Sequence, residues 1–368
     1  MGQKLIRYAV VGQGYFAQVA ILPSFKKARG AQLVALISDD KKKLEDLGKE
    51  YQVEHLLHYD DYDAFLKSGA VDAVYIALPN SMHCEFTLRA AAAGVHVLCE
   101  KPMGVDESEC LRMIAACEAA HVKLMVAYRL HFDPANLEAI DIAQSGKLGD
   151  IRAFTSTFTM QVRDGNSRTR ADLAGGPLND IGIYCINAAR YVFQSEPIEV
   201  SALSAARRDD ARFAEIDEQL AVIMRFPNER LATFFCSFGA ADAARYEIIG
   251  TRGILRVDPA YELESALAHE LTIDGKMTKK TFPKRDQVGA ELVYFSDCIA
   301  LDKKPEPSGS EGLADTRIIR AIQSSALTRR AVPLSPVDVG DRPSKAQEIK
   351  VGPHRRPNLV NATPPSRN

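Results

Sequence analysis

The sequence predicts an α/β domain with a parallel sheet followed by an α+β domain with an open-faced, largely antiparallel sheet. Three observations support this. A β-branched run leads into two glycines at residues 6–14, strands and helices then alternate to about residue 127, and short strands dominate afterwards. A chain of 368 residues also exceeds one ordinary core. The predicted boundaries are 1–129, 130–334 and a Pro-rich flexible tail at 335–368.

The first strand, turn and helix have the pattern of a dinucleotide-binding unit. Gly12 permits a tight turn, Gly14 lets a pyrophosphate approach the backbone, and Ala17 keeps the following helix close to the sheet. The helix start offers free N–H groups and the positive end of its dipole to phosphates. Tyr15 and Phe16 lie in the same turn and complete the predicted phosphate-binding segment.

The rest of the first domain repeats the strand–helix alternation. Apolar runs at 32–37, 73–77, 96–100 and 123–127 are predicted strands, and each is separated from the next by a helical segment. Ligands of such sheets bind at the carboxyl ends of the strands. The predicted cofactor-contacting residues at those ends are Ser38, Pro79, Asn80, Glu100, Lys101 and Arg129.

The choice between NAD and NADP depends on the residues after the second strand. Asp39 lies 22 residues after Ala17, where an acid usually binds the ribose 2′-OH and favours NAD. Three lysines follow, ending at Lys43, and lysines in a first helical turn oppose the helix dipole. A 2′-phosphate would offset that cost, so NADP is favoured. The alternative is that Asp39 or Asp40 is only a helix cap beside solvated lysines.

Glu100-Lys101-Pro102 is the sharpest chemical signal in the first domain. Pro102 restricts Lys101 to extended geometry, so this lysine is held at a strand end. The alternative is a lysine that only pairs with Glu100 at the sheet rim. His83, in the helix after Pro79-Asn80, either faces the cofactor or packs structurally.

The second domain begins with a helix near Pro134. Predicted strands follow at 151–158, 198–205, 220–226, 231–238, 246–249, 254–257, 269–273 and 279–282, with late helices at about 291–300 and 311–328. One sheet face has no helix to cover it, which predicts that this face is an oligomer surface. The polar, Pro-rich end of the chain predicts a mobile tail.

A second cluster of polar residues follows Gly175-Gly176-Pro177. Asp180, Tyr184 and Asn187 are spaced four and three apart, so they share one face of a predicted helix. An acid, a phenol and an amide beside isoleucines suit the wall of a pocket. The alternative is a polar stripe that faces water.

Composition limits the possible partners. The net charge of −2 gives no basic field for nucleic acid or a membrane surface, and no apolar run approaches the ~20 residues of a membrane span. The seven cysteines are scattered and form no CxxC pair, which predicts reduced, buried thiols in a cytoplasmic protein. A core strand is predicted within a few residues of the N-terminus, so no signal peptide is expected. No metal-ligand spacing is present, so no metal is predicted.

These motifs together resemble the Gfo/Idh/MocA oxidoreductases, closest to the glucose-fructose oxidoreductase-like branch. The resemblance covers about residues 4 to 334. It implies a Rossmann domain, an open-faced sheet domain through which the protein forms a homodimer or homotetramer, and a sugar, sugar-derivative or dihydrodiol substrate. It identifies Lys101 as the Glu-Lys-Pro lysine, Asp180 as the family's Asp, and Tyr184 as the His/Tyr acid–base position. Ser38 and Lys43 resemble 2′-phosphate contacts, whereas Asp39 resembles NAD-using members.

A mechanism follows as an expectation from this resemblance. Tyr184 transfers the hydroxyl proton while hydride moves to or from the nicotinamide, and the Lys101 ammonium lowers the pKa of the phenol. Asp180 accepts a hydrogen bond from substrate or lysine. Candidates for binding substrate hydroxyls or an acidic group are Arg129, His131, Arg163 and Arg168. The alternatives are a non-catalytic NAD(P)-binding sensor on the same fold and a glycoside hydrolase using recycled NAD, whose motifs are missing.

Overall fold

The computed structural model describes residues 5–366 and divides the chain into two compact units. Unit 1 contains residues 5–129, Asp286–Gly312 and Ile349–Pro364, and unit 2 contains Leu130–Arg285, Leu313–Glu348 and residues 365–366. The ends of the predicted first domain and tail, residues 1–4 and 367–368, lie outside the described residues.

Unit 1 is built on a six-stranded parallel sheet with the strand order β3-β2-β1-β4-β5-β6. Its strands are β1 (Ile6–Val11), β2 (Ala31–Ile37), β3 (His55–Leu57), β4 (Ala73–Ile76), β5 (His96–Cys99) and β6 (Leu124–Val126). The order reverses between β1 and β4, and a crevice at the carboxyl ends of such strands is where ligands bind. The predicted parallel sheet is confirmed, with β3 as a short edge strand that the sequence prediction missed.

Helices connect these strands. A π-helical turn (Ala17–Ile21) continues into α1 (Leu22–Ser24), and α2 (Lys41–Tyr51), α3 (Tyr62–Lys67), α4 (His83–Ala92) and α5 (Glu107–Ala119) follow. The carboxylates of Asp40 and Asp106 accept hydrogen bonds from the third residue of α2 and α5, respectively. These caps satisfy backbone donors that a helix leaves unpaired at its start.

Unit 2 contains a nine-stranded mixed sheet with the order β14-β13-β12-β11-β7-β10-β9-β8-β15. Its strands are β7 (Ile151–Gln161), β8 (Glu199–Ala205), β9 (Gln219–Phe226), β10 (Arg230–Ser237), β11 (Gly239–Gly250), β12 (Gly253–Val257), β13 (Leu267–Ile273), β14 (Lys276–Phe282) and β15 (Val332–Pro333). Within this nine-stranded sheet of the described residues, the β7–β10 pair is parallel and the other strand pairs are antiparallel. The largely antiparallel prediction is confirmed.

Four further helices follow later in the chain. They are α6 (Pro134–Gln144), α7 (Ile183–Phe193), α8 (Gln287–Ala300) and α9 (Gly309–Thr328). Within unit 2, α6 packs on α7, which packs against β7 of the sheet. No helix among residues 5–366 has both the length and the apolarity needed to cross a membrane.

The predicted boundaries need correction because α8 belongs to unit 1. Its Ser296 Oγ lies 2.9 Å from the Tyr8 Oη of β1, and Asp286, which caps α8, accepts a hydrogen bond from the hydroxyl of Ser24. Both contacts are buried. An apolar helix can pack on any complementary surface, so its position in the sequence does not reveal the unit that it joins.

The segment predicted to be a flexible tail also needs correction. Its residues Ile349–Pro364 belong to unit 1 and make specific hydrogen bonds there. The backbone N–H of Asp286 donates to the carbonyl of Val351 at 3.0 Å, and Val351 is buried. The composition misled the prediction because a proline-rich segment without regular structure can still pair its backbone with side chains of a folded unit.

Candidate functional site

The glycine turn of unit 1 has the geometry of a phosphate-binding loop. Gly12 has a φ of +93°, and a Cβ at this position would lie 2.6 Å from the carbonyl oxygen of Ala77. Gly14 is exposed, and nothing lies within 4 Å of its Cβ position. The first glycine is therefore required by the fold, whereas the second leaves open space above the backbone. Ala17 is buried where the helix meets the sheet, so these residues fit a dinucleotide pyrophosphate.

In the turn after β2, the two acids Asp39 and Asp40 have different roles. Asp40 caps α2, because its carboxylate accepts a hydrogen bond from the backbone N–H of Lys43 at 3.0 Å. Hydrogen bonds from Lys43 and Asn361 lower the pKa of Asp40. Asp39 is exposed, whereas Ser38 is buried and its hydroxyl accepts a hydrogen bond from the Asp40 N–H. The Nζ of Lys43 lies 3.7 Å from the Asp40 carboxylate. Of the two acids that could cap the helix, Asp40 is therefore the cap and Asp39 is not.

His83 has a structural position. The ring is completely buried, with Nδ1 2.8 Å from the carbonyl oxygen of Pro102 and Nε2 2.9 Å from that of Leu78. Burial lowers its pKa, which favours the neutral ring, and a neutral ring donates to only one of these carbonyls. This placement corrects the predicted cofactor contact. His83 instead ties the loop after β4 to the residue that follows Lys101, while Pro79 and Asn80 remain partly exposed.

Lys101 follows β5 and is half-buried, with a cis peptide bond to Pro102. Its backbone N–H donates to Glu100 at 3.3 Å, and the other Glu100 oxygen accepts from Tyr75 Oη at 2.9 Å. Burial raises the pKa of Glu100, and the charge of Lys101 partly opposes that shift. The strand end thus places Lys101 directly after a carboxyl group that Tyr75 and the Lys101 N–H hold in position.

A second carboxyl, that of Glu291 on α8, lies behind this strand end. The side chain is 1% exposed, and one oxygen is 3.5 Å from Tyr75 Oη while the other has no hydrogen-bond partner. Arg129, which is buried and donates to the side-chain oxygen of Gln287, contributes a nearby positive charge. Burial, reinforced by the charge of Glu100, raises the pKa of Glu291 well above 4.5.

Glu291→Gln is expected to change how stability depends on pH. The raised pKa means that the folded protein holds a proton that the unfolded chain releases, so Glu291 lowers stability as pH rises above about 4.5. Relative to the wild type, the free energy of unfolding of the variant should rise by up to ~1.4 kcal/mol per pH unit. This rise should end where the pH passes the pKa of Glu291 in the folded protein. Urea unfolding at pH 5, 6, 7 and 8 measures this, with the exposed Glu45→Gln as control. A difference in unfolding free energy between variant and wild type that stays constant with pH would contradict this prediction.

Tyr184 of unit 2 has a fixed ring and a partly exposed surface. It lies on α7, where Phe158 meets its ring edge-on at 5.5 Å and Tyr261 lies 5.9 Å away. Tyr261 is buried, with its hydroxyl 2.7 Å from Ser156 Oγ. Neither aromatic neighbour was predicted, because Phe158 and Tyr261 come from β7 and from a loop far along the chain and carry no local signal.

Asp180 lies in a π-helical turn (Leu178–Gly182) just before α7. Its carboxylate is 19% exposed and accepts a hydrogen bond from Arg168 Nε at 2.8 Å. The carbonyl of Arg168 in turn accepts from the N–H of Gly176 at 2.8 Å. The loop before the helix is therefore anchored to Asp180, and Arg168 orients a carboxylate that the sequence assigned to substrate or lysine.

Asn187, the third residue of the predicted polar stripe, is buried and does not face solvent. Its side-chain oxygen lies 2.8 Å from His131 Nε2, and its amide nitrogen donates to Asp315 at 3.0 Å. Asp315 also pairs with Arg190 at 2.7 Å, and both side chains are completely buried. His131 is likewise 0% exposed, so the structure corrects its predicted substrate contact to a role in this buried network.

Arg163, the other predicted substrate residue, is exposed and contacts the end of the chain. Its backbone N–H donates to the carbonyl of Pro365 at 2.8 Å, and its Nε donates to the carbonyl of Ser366. The side chain is therefore engaged by chain-terminal backbone. No group of three or more His, Cys, Asp or Glu residues suited to a metal ion occurs between residues 5 and 366.

Comparisons with known proteins identify both parts of the chain. Residues 6–128 match a model of an oxidoreductase family with an NAD-binding Rossmann fold, and residues 137–256 match the GFO/IDH/MocA C-terminal domain. The chain is 30% identical to D-xylose 1-dehydrogenase (NADP(+)) 2 of Haloferax volcanii, over 89% of this chain and 99% of that protein. It is 27% identical to mouse trans-1,2-dihydrobenzene-1,2-diol dehydrogenase, over 76% and 80%.

A solved structure supports the same assignment. Aldose-aldose oxidoreductase from Caulobacter crescentus, complexed with glycerol, is 36% identical and superimposes with a TM-score of 0.86. The match covers 90% of this chain and all of that one. The relatives are named dehydrogenases and oxidoreductases, and the predicted enzyme class is confirmed. The protein is therefore an oxidoreductase of the Gfo/Idh/MocA family, as its glycine turn, Glu-Lys-Pro strand end and open sheet domain predicted.

Proposed function

We propose that this protein is an NADP(H)-dependent oxidoreductase that transfers hydride between the nicotinamide and C1 of an aldose. The observation that carries the proposal is the 36% identity to an aldose-aldose oxidoreductase over that protein's whole length. A xylose dehydrogenase of similar coverage supports the same substrate class. Aldose oxidation removes a hydride from C1 and a proton from its hydroxyl, and reduction of an aldehyde returns both.

NADP is the proposed cofactor for two reasons. The named xylose dehydrogenase uses NADP(+), and Lys43 lies at the start of α2 with only 18% of its side chain exposed. A cation held in this first helical turn is suited to a 2′-phosphate, which would offset its unfavourable interaction with the helix dipole. Ser38 and Asp39 are proposed to complete the ribose end, and Gly12 and Gly14 the pyrophosphate end. Tyr15, Phe16, Glu100 and Arg129 remain proposed contacts.

Tyr184 is the proposed acid–base group and Lys101 its electrostatic partner. The bound nicotinamide would supply the hydride acceptor, so the protein has to move one proton at the substrate hydroxyl. The packing of Phe158 and Tyr261 holds the Tyr184 ring in one orientation. The two residues belong to different units, and their joint action on one substrate rests on the family resemblance.

Asp180 is proposed to accept a hydrogen bond from the substrate with one carboxylate oxygen while Arg168 holds the other. Substrate preference would then depend on the segment at 161–173, which Arg168 anchors to Asp180. Arg163 is retained as a proposed contact for a substrate hydroxyl through the guanidinium nitrogens that Ser366 does not engage.

A homodimer or homotetramer through the nine-stranded sheet is the proposed assembly. Apolar side chains on β8, β9 and β10 are exposed, including Leu203 at 65%, Ile223 at 50% and Leu231 at 45%. Contiguous exposed apolar surface of this kind is typical of an interaction face. Light scattering of the purified protein measures the assembly directly, and a monomer at micromolar concentration would contradict it.

A substrate panel tests the proposed activity. The purified protein should reduce NADP(+) with D-xylose or D-glucose more efficiently than NAD(+), with kcat/KM at least tenfold higher for NADP(+). A second assay without added cofactor offers two different aldoses and measures formation of aldonic acid and alditol, because a retained cofactor would pass hydride between them. Nucleotide binding without turnover on aldoses and dihydrodiols would instead favour a sensor.

A further inference from the structure

The C-terminal segment of unit 1 contacts both walls of the predicted dinucleotide site. Residues 356–361, here named the clasp, lie against the glycine-turn helix and the start of α2. Upstream, the ammonium of Lys27 donates to the carbonyls of Gly352 and Pro353. The C-terminal segment is therefore attached to unit 1 both upstream of the clasp and within the clasp itself.

The first wall is joined through Gln18, which is completely buried. Its side-chain nitrogen donates to the carbonyl of Val360 at 2.8 Å, and its side-chain oxygen accepts from the Val360 N–H at the same distance. The same nitrogen also donates to the carbonyl of Gln13, inside the glycine turn, at 3.0 Å. One buried amide thus links the backbone of the clasp to the loop expected to surround the pyrophosphate.

The second wall is joined through Asn361. Its amide nitrogen donates to one oxygen of Asp40 at 3.1 Å and lies 3.5 Å from the other. Asp40 is the cap of α2 and the neighbour of Lys43. The clasp therefore fixes the acid that sets the position of the first turn of α2, where the 2′-phosphate is proposed to bind.

The clasp also brings a positive charge to the turn. Arg356 Nη2 donates to the hydroxyl of Tyr15 at 3.2 Å, and both side chains are accessible to solvent. Tyr15 immediately follows Gly14, the residue with open space above its backbone. A guanidinium beside this turn suits an anionic ligand, since arginine forms strong charge-assisted hydrogen bonds with phosphate oxygens.

We propose that the clasp contributes to the NADP(H) site through Arg356, Val360 and Asn361. It joins the glycine turn to the start of α2, Asn361 fixes the wall that contacts the 2′-phosphate, and Arg356 adds a cation toward the phosphates. This inference rests on the proposed NADP(H) dependence and adds residues to it. Loss of the clasp should increase the dissociation rate of NADPH more than that of NADH, because Asn361 acts on the end of the site that distinguishes the two.

Asn361→Asp is the sharpest test. The change is nearly isosteric, removes the amide donor, and places a second carboxylate against Asp40. Asn358→Asp is the matched control, because it makes the same charge change at an exposed clasp residue. Stopped-flow fluorescence on the full-length protein should show NADPH dissociating about tenfold faster from Asn361→Asp than from the control, and NADH at most about threefold faster. Arg356→Gln should weaken NADPH binding about threefold relative to Arg355→Gln.

The outcomes separate this inference from the proposed function. If the wild type binds no NADPH, the proposed function fails. If the wild type binds NADPH and Asn361→Asp matches Asn358→Asp within twofold, only the clasp inference is overturned. Tighter NADPH binding by Asn361→Asp also overturns it, because the segment would then obstruct the site. Equal increases in the dissociation rates of NADPH and NADH, together with a lower melting temperature of the ligand-free protein, would show that Asn361 has a structural role. That result would overturn the clasp inference as well.

Discussion

Tyr184→Phe is expected to lower kcat for aldose oxidation by about 10³-fold while changing the Kd for NADPH less than twofold. The substitution removes only the hydroxyl, and the phenylalanine ring keeps its contacts with Phe158 and Tyr261. The reaction then lacks a group that accepts the hydroxyl proton as hydride leaves. Steady-state kinetics with D-xylose, together with fluorescence titration of NADPH, measure the two effects separately.

A matched control for this variant is Tyr51→Phe, at the end of α2, which removes a tyrosine hydroxyl away from the carboxyl edge of the sheet. Its kcat should equal that of the wild type. Nearly unchanged turnover by Tyr184→Phe would remove the proposed acid–base role, whereas loss of NADPH binding would show that the hydroxyl supports the cofactor.

The sequence predicted most of the fold because local patterns determine it. The apolar run of β1 and the Gly12 turn depend on neighbouring residues, and both formed as expected. The cap of α2 by Asp40 is likewise local and was one of the alternatives that the sequence offered. Gly12 illustrates the reason, since the positive φ and the nearby Ala77 carbonyl both exclude a side chain.

The failures share one physical cause, which is long-range pairing. His83 and His131 were candidates for ligand contacts because a polar side chain in an apolar segment suggests a site. Their partners are the Pro102 carbonyl and Asn187, and those pairings give them buried structural positions. The clasp was missed in the same way, since Gln18 and Val360 are 342 residues apart. Nothing local distinguishes a satisfied histidine from a catalytic one.

Lys101→Met provides the second large expected effect. Methionine retains much of the length of the side chain and removes its charge, so kcat should fall by about 10²–10³-fold. The proposed ammonium stabilises the negative charge that develops on the Tyr184 oxygen during proton transfer. Steady-state kinetics with D-xylose measure the loss. Lys49→Met, which changes an exposed lysine on α2, is the control, and its kcat should equal that of the wild type.

The double variant Lys101→Met/Tyr184→Phe tests whether the two groups act together. Independent residues would multiply their losses, to about 10⁵–10⁶-fold, whereas groups that assist the same proton transfer lose little more together than the worse single variant. A double variant close to Tyr184→Phe alone would place lysine and phenol in one catalytic unit. Fully multiplicative losses would mean that Lys101 acts on the cofactor or substrate independently of Tyr184.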